Sequence, residues 1–315
     1  MTRHHIPVLR KAVIERVTSV LDAAVTASKD FGSPVTVVDG TLGAGGHASM
    51  IIEALGVAGA QVRYVGIDRD ASAIELARPV LAEAVAGTNH RFDLIHGNFG
   101  EIQSLLGSKD IRADALFLDL GVSSMQLDQR HRGFSLLEEG PLDMRMDPHD
   151  KVTAASLVNE GSVNFLGSIL RTYGGEKNWR KLTALISGAR QQKRIETTTE
   201  LVKVLAPGLD WKRMKQGKSH PATKTFQALR IAVNNELHFL DKGLGAAPNF
   251  VKPGGLLAVL TFHSLEERVV EKALRNSNSW THVATPQGPD QAEIETNPRS
   301  RSAKLISAIR SCTEK

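Results

Sequence analysis

The sequence predicts an α/β fold: a doubly wound parallel sheet interrupted by an all-helical insertion. Three observations predict it. Strand and helix patterns alternate through the first third of the chain. The first apolar strand opens into a glycine-rich turn, and the second ends in an acid. The alternation stops after Arg130, and strand patterning returns only near Gly255.

The elements follow in order. Thr36–Asp39 is a β-branched run, followed by Gly40 to His47 and a helical stretch, Ala48–Leu55. Arg63–Asp68, Phe92–His96 and Ala115–Leu120 are further strand patterns, with helical stretches at Ala71–Val85 and Phe99–Leu106 between them. This β-α-β-α order implies parallel strands joined by right-handed crossovers. Helical patterns then run over Ala154–Asn159, Val163–Thr172, Lys177–Gln192 and Thr198–Leu205. His220 to Leu237 begins with a proline turn and reads as an amphipathic helix, on which Lys224 and Arg230 are candidates for RNA phosphate contacts. The turn Lys252-Pro253-Gly254-Gly255 introduces a strand, Gly255–Phe262, and Leu305–Ile309 is expected as a final edge strand. Asn276 to Arg301 is polar, holds three prolines and reads as loop. The expected division is a discontinuous sheet domain, 1–129 and 236–315, around a helical insertion, 130–235.

Composition narrows the function classes. The chain has 315 residues, of which 41% are hydrophobic and 23% charged, as in ordinary globular proteins. It has no run of eighteen apolar residues, so no membrane partner is expected. One cysteine, Cys312, excludes an internal disulfide framework and a cysteine-rich zinc site. That usage predicts a reducing compartment: the cytoplasm if the source is bacterial, or a mitochondrial matrix or chloroplast stroma after removal of a transit peptide. The net charge of +5 is concentrated in Lys177 to Lys218 and in Arg299 to Lys304. Such clusters favour a polyanion. Solvated helix faces explain them equally well on composition alone.

The chemistry is carried by loops at strand ends. Gly43-Ala44-Gly45-Gly46 allows close backbone approach to a ligand, and Asp68 can accept hydrogen bonds from ribose hydroxyls. The third spaced glycine of a dinucleotide loop is missing, and no Lys-Ser/Thr pair follows to bind phosphate. Glycines and a ribose acid without phosphate machinery suit S-adenosylmethionine. Asp119-Leu-Gly-Val-Ser-Ser124 places an acid and two hydroxyls at the end of the fourth strand, where a methyl acceptor meets the donor. The structural alternative is a helix cap. Gly140 to Asp147 alternates acids with Arg145 and reads as an ion-paired loop rather than a metal site; no metal is expected. After the fifth strand, Ser264 and Glu267 have capping-box spacing, a structural use that competes with a catalytic one for His263.

Taken together, His5-Ile-Pro-Val-Leu9, Asp39-Gly-Thr-Leu-Gly-Ala-Gly-Gly-His47, Asp119 to Asp128, Arg132-Gly-Phe-Ser135, Gly140 to Asp147, His220-Pro-Ala-Thr223, Phe226 to Ile231, Phe262-His-Ser-Leu265 and Asn297 to Lys304 resemble the MraW/RsmH family. Members methylate the exocyclic N4 of a cytidine in small-subunit ribosomal RNA. The resemblance implies a class I S-adenosylmethionine-dependent methyltransferase sheet, Rossmann-like, with an inserted helical substrate-recognition domain. It implies donor contacts from Gly45, Gly46, His47, Asp68, Phe99, Asp119 and Gln126, with Gly43 in the same loop. It implies small-subunit ribosomal RNA as partner; a ribosomal particle is the expected context, with free RNA and the oligomeric state left open. Met125, Glu267 and Ile306-Ser-Ala-Ile309 depart from the family pattern, and Ser123 to Gln126 with Glu176 to Trp179 resemble organellar versions. The Asn/Asp-Pro-Pro-Tyr/Phe motif of many amino-methyltransferases is absent, so the candidate catalytic groups are Asp119, Ser124 and His263. Two rival readings remain at this point: a small-molecule or protein methyltransferase on the same fold, and a catalytically weak ribosome-assembly factor that retains it.

Overall fold

Continuous apolar runs in consecutive strands require cover on both faces of a sheet. The computed structural model, which describes residues 7–107, 109–212 and 220–312, has that arrangement. The chain divides into two units, one of 1–121 with 237–315 and one of 122–236. The sequence pattern places these boundaries at 129/130 and 235/236.

The first unit is built on seven strands: β1 (Val35–Asp39), β2 (Val62–Asp68), β3 (Arg91–His96), β4 (Ala113–Asp119), β5 (Val251–Thr261), β6 (Trp280–Thr281) and β7 (Lys304–Arg310). Their order is β3-β2-β1-β4-β5-β7-β6. The first five are parallel to one another, and β7 runs antiparallel to β5 and β6. Alternate residues feed two cores. Val37, Tyr64, Ala115, Phe117 and Leu260 pack on one face, with residues of helices α1 (Arg10–Val20), α2 (Asp22–Phe31), α3 (Gly46–Val57) and α4 (Ala71–Val85). Val38, Val65, Ile67, Leu116, Leu118 and Val259 pack on the other, with α5 (Ile102–Gly107) and the helices Glu236–Ala246 and Ser264–Arg275. The strand order reverses direction between β1 and β4, and ligands bind outside the carboxyl ends of strands at such a switch point.

Three expectations change. Leu305–Ile309 is not the sheet edge: β7 lies between β5 and the two-residue strand β6, which belongs to the stretch read as loop. That same stretch also forms a helix, Gln291–Thr296, capped by Asp290. The turn at Lys252 to Gly255 does not precede the strand but is absorbed in it. Ala113 and Ala115 of β4 pair with Val251 and Leu256 of β5, so the intervening residues bulge out, with Gly254 at φ 78°. Lys252 Nζ anchors the bulge on both Asp114 carboxylate oxygens, at 2.9 and 2.8 Å.

The second unit is helical around its own core, which includes Phe134, Leu166, Leu182, Leu201 and Leu229. Its Gly140 to Asp147 loop is ion-paired, as expected. Arg145 donates from Nε and Nη2 to the two oxygens of Asp143, at 2.8 and 2.7 Å. Asn234 accepts from the Met146 N–H and donates to the Met144 carbonyl, both at 2.8 Å. Arg230 is not available to RNA in this arrangement, because its guanidinium forms a paired contact with Glu236 at 2.8 and 2.9 Å. Of the basic run 212–218, all but Lys212 lies outside the described residues, as do His5 and Ile6.

Candidate active site

The candidate donor residues of the first unit converge because the chain leaving β1 is stitched to β2 and β4. Gly40 N–H donates to the Phe117 carbonyl, Leu42 N–H to the Ile67 carbonyl, and Gly43 N–H to Asp68 Oδ2 at 2.8 Å. Gly43 and Gly45 take φ values of 54° and 84°, which suits residues without a Cβ. A Cβ on Gly43 would meet nothing within 4 Å, so the loop is open beside it. Gly45 then caps α3 with no side-chain hydrogen bond, which leaves helix-terminal amides and a partial positive charge for an anionic group.

Asp68 anchors the loop. Its Oδ1 accepts the Asp70 N–H at 2.8 Å, while Oδ2 holds Gly43. Each oxygen retains a second lone pair for a hydroxyl. Burial pushes its carboxyl up to about 6, against the lowering pull of the two amides. Phe99 starts a short 3₁₀ turn capped by Asn98. It packs so closely on the chain that a Cβ on Gly40 or Gly243 would stand 2.7–2.8 Å from it.

Asp119, at the end of β4, is held twice. Its N–H donates to Thr41 Oγ1, and its Oδ2 lies 3.2 Å from His47 Nδ1. Its Oδ1 is buried and has no hydrogen-bond partner among the described residues. An orphaned carboxylate oxygen at a strand end, beside a glycine loop and a helix N-terminus, fits an amino group of a donor or acceptor. Behind it lies Asp39, fully buried. Asp39 accepts from Thr41 N–H at 2.9 Å and from Tyr64 Oη at 2.8 Å. Burial pushes Asp39 up to about 7, with the two hydrogen bonds and the nearby His47 pulling down.

The remaining candidates have capping roles. His263 caps the helix Ser264–Arg275 itself. Its Nδ1 accepts the Glu266 N–H at 3.3 Å, and Glu266 returns the capping bond to the His263 N–H. The capping box is thus His263–Glu266, one residue earlier than Ser264–Glu267, and Glu267 instead takes Lys304 Nζ at 2.7 Å. Gln126 and Ser124 belong to the second unit. There Gln126 forms a capping box with Ser123, accepting its N–H at 3.1 Å, and Ser124 opens the same short helix, its side chain outside the described part. Sequence reasoning missed Tyr64 and the buried state of Asp39. The only signal was an aromatic hydroxyl at an inward position of β2, between Arg63 and Val65.

A family model described as the MraW methylase family matches residues 2–311. Ribosomal RNA small subunit methyltransferase H of Sorangium cellulosum is 43% identical over 298 residues, covering 94% of this chain and 91% of that protein. Its counterpart from Methylobacterium nodulans is 44% identical over 323 residues, with 96% and 88% covered. The Synechococcus elongatus counterpart is 39% identical over 308 residues, with 98% and 95% covered.

The Asp39–Tyr64 bond yields a stability prediction. The folded carboxyl sits above its unfolded value, so its contribution is favourable at low pH and is lost as pH rises through about 7. The Tyr64 hydroxyl eases that loss by donating to the ionised form. Tyr64→Phe should cost about 1–3 kcal/mol at pH 8 and less at pH 6. Urea unfolding at both pH values checks this, and a loss independent of pH would contradict it.

Proposed function

From the premise that the chain belongs to the MraW methylase family, we propose that it transfers a methyl group from S-adenosylmethionine to the exocyclic N4 of a cytidine in small-subunit ribosomal RNA. The observation that carries this reading is the orphaned Asp119 Oδ1 at the carboxyl end of β4, beside the open glycine loop. When bound, S-adenosylmethionine supplies an electrophilic methyl on a sulfonium, already activated for transfer. Asp68 would hold the ribose hydroxyls through its remaining lone pairs. The amides at the start of α3 suit the methionine carboxylate.

Cytosine N4 is a weak nucleophile because its lone pair is conjugated into the ring. A group that accepts one amino hydrogen can align that lone pair with the methyl and stabilise the positive charge that develops on nitrogen. Asp119 Oδ1 is the acceptor proposed here. The target base must be unpaired or flipped out to reach it.

We assign RNA recognition to the second unit, as a proposal supported by its surface. Arg171, Lys177, Arg180 and Lys181 are exposed together around the start of the helix Trp179–Gln192. The Arg171 and Arg180 guanidinium groups stand 5.8 and 4.4 Å from the Trp179 ring centroid, which pre-orders them. Shape and phosphate contacts of this kind suit a folded RNA, free or within a particle.

Three outcomes are expected. Donor affinity, read by calorimetry, should fall about tenfold from pH 7.5 to pH 5 as Asp68 protonates, and Asp68→Asn should flatten that dependence; a wild-type profile in the variant removes Asp68 from the donor site. Asp119→Asn should slow single-turnover methylation, at saturating donor and RNA, far more than it weakens donor binding. The methylated nucleoside is identified by mass spectrometry; a near-normal rate would leave Asp119 without a catalytic part. Alanine at Arg171, Lys177, Arg180 and Lys181 together should lower the salt slope of RNA binding by roughly 0.7–0.9 for each phosphate that is no longer neutralised, while sparing donor affinity. An unaltered slope directs attention to another surface.

A further inference from the structure

His47 is held by acceptors on both sides of its ring. Nε2 lies 2.8 Å from the Val8 carbonyl oxygen, and Nδ1 lies 3.2 Å from Asp119 Oδ2. A carbonyl and a carboxylate only accept, so each contact calls for a proton on the facing nitrogen, and a ring with both protons is an imidazolium. The side chain is 8% exposed and leans on the Phe117 ring, with centroids 5.1 Å apart. Neither ring nitrogen is left to meet a ligand. The donor contact implied for His47 by its family motif therefore falls to its main-chain N–H, at the start of α3.

Asp119 shows the complementary pattern. Its backbone is fixed by Thr41 Oγ1 and its Oδ2 by His47, while Oδ1 is buried without a partner among the described residues. We infer that His47 is a positioning residue for methyl transfer: its ring ties Asp119 Oδ2 to the Val8 carbonyl and so presents Oδ1 alone to the reacting groups. The inference rests on the role proposed above for Asp119.

The charged groups facing the ring are Asp119 from β4 and Asp39 from β1. Burial, the largest effect, disfavours the ring's charge. The Asp119 hydrogen bond and charge, the Val8 carbonyl and the Asp39 charge favour it, and the balance lies upward of the ordinary histidine value. This agrees with the two-acceptor geometry.

Two substitutions separate the halves of the tie. Asparagine places its amide nitrogen near the position of Nδ1, and glutamine near that of Nε2. His47→Asn therefore keeps a donor toward Asp119, and His47→Gln keeps one toward Val8. In single-turnover methylation at saturating donor and RNA, His47→Asn should stay within about threefold of wild type, and His47→Gln should fall at least about tenfold, the scale of a hydrogen bond to a charged group. A histidine that only anchors the Val8 segment gives the reverse order, which overturns the inference. In an Asp119→Asn background, His47→Gln should cost less than about twofold, because residues acting through one another are not additive. Full additivity, with Asp119→Asn itself slow, overturns the inference and spares the reading of Asp119. A normal rate for Asp119→Asn overturns both.

A measurement without donor or RNA completes the test and does not depend on the His47 variants folding. Nitrogen-15 spectra of the wild-type ring should show both nitrogens protonated at about pH 6. The proton should be lost at lower pH in Asp119→Asn. A singly protonated wild-type ring at that pH contradicts the inference.

Discussion

The adjacency of β1 and β4 is the constraint on which the site depends. The two strands run parallel, with Asp39 opposite Phe117. Beyond the last ladder pair the chain continues to be tied across the gap: Gly40 N–H reaches the Phe117 carbonyl, and Asp119 N–H reaches Thr41 Oγ1. Thr41 in turn donates its N–H to Asp39. One short segment thus fixes two carboxylates on neighbouring strands. Gly40 is needed for this path, since a Cβ there would fall 2.5 Å from Leu118 Cδ2 and 2.7 Å from Phe99 Cβ. The glycine is a packing requirement, distinct from the conformational requirement at Gly43 and Gly45.

Placing two carboxylates in one buried corner is costly unless each is paired and hydrogen-bonded. The structure meets the cost unequally. Asp39 has donors from Tyr64 and Thr41 and still sits near 7, because burial outweighs them. Asp119 has a donor to Oδ2 from His47 and none to Oδ1. An unsatisfied oxygen is poor design for stability alone. It is good preorganisation for a positive or amino-bearing partner, because no existing bond must be broken when that partner arrives. His263 is tied to the helix it begins through Nδ1, which accepts an amide, while its buried Nε2 lies 3.1 Å from Glu266 Oε1 without forming a hydrogen bond among the described residues.

The helical insertion interrupts the crossover from β4 to β5, and it does so without disturbing either strand. Val122 follows Asp119 by three positions, and the chain re-enters the first unit at Leu237, within the helix that precedes β5. The insertion closes its own core and its own polar network. Arg132 donates to the carbonyls of Arg145 and Met146, and Asn234, at the far end of the unit, grips the same loop. The Asn234 bonds join residues about ninety positions apart. They let the unit begin and end as a defined body.

What was legible in the sequence follows from the range of the interactions concerned. The strands were readable because every residue of β1 is buried, so its run is β-branched up to Asp39 and shows no solvent-facing alternation. The helix Ala71–Val85 was readable from its pattern; the structure adds Asp70, whose side chain caps it through Ser72 N–H. Helices α1 and α2 were not read as elements: each starts at a leucine that offers no side-chain cap, and α1 has no acid in its first turn. Strand β6 has two residues and no pattern of its own; it exists because β7 offers a free edge. The motifs at the strand ends were visible as local strings, but the bonds between them were not. Tyr64 pairs in register with Val37, and Asp39 lies two residues further along the same face, which is why the hydroxyl reaches that carboxylate. The meeting of His47 with Asp119 likewise needs β4 beside β1, although three crossovers separate the two strands in the chain. A sequence names the acid and the histidine separately. Only the register and order of the strands decide that one oxygen of Asp119 is tied and the other left open.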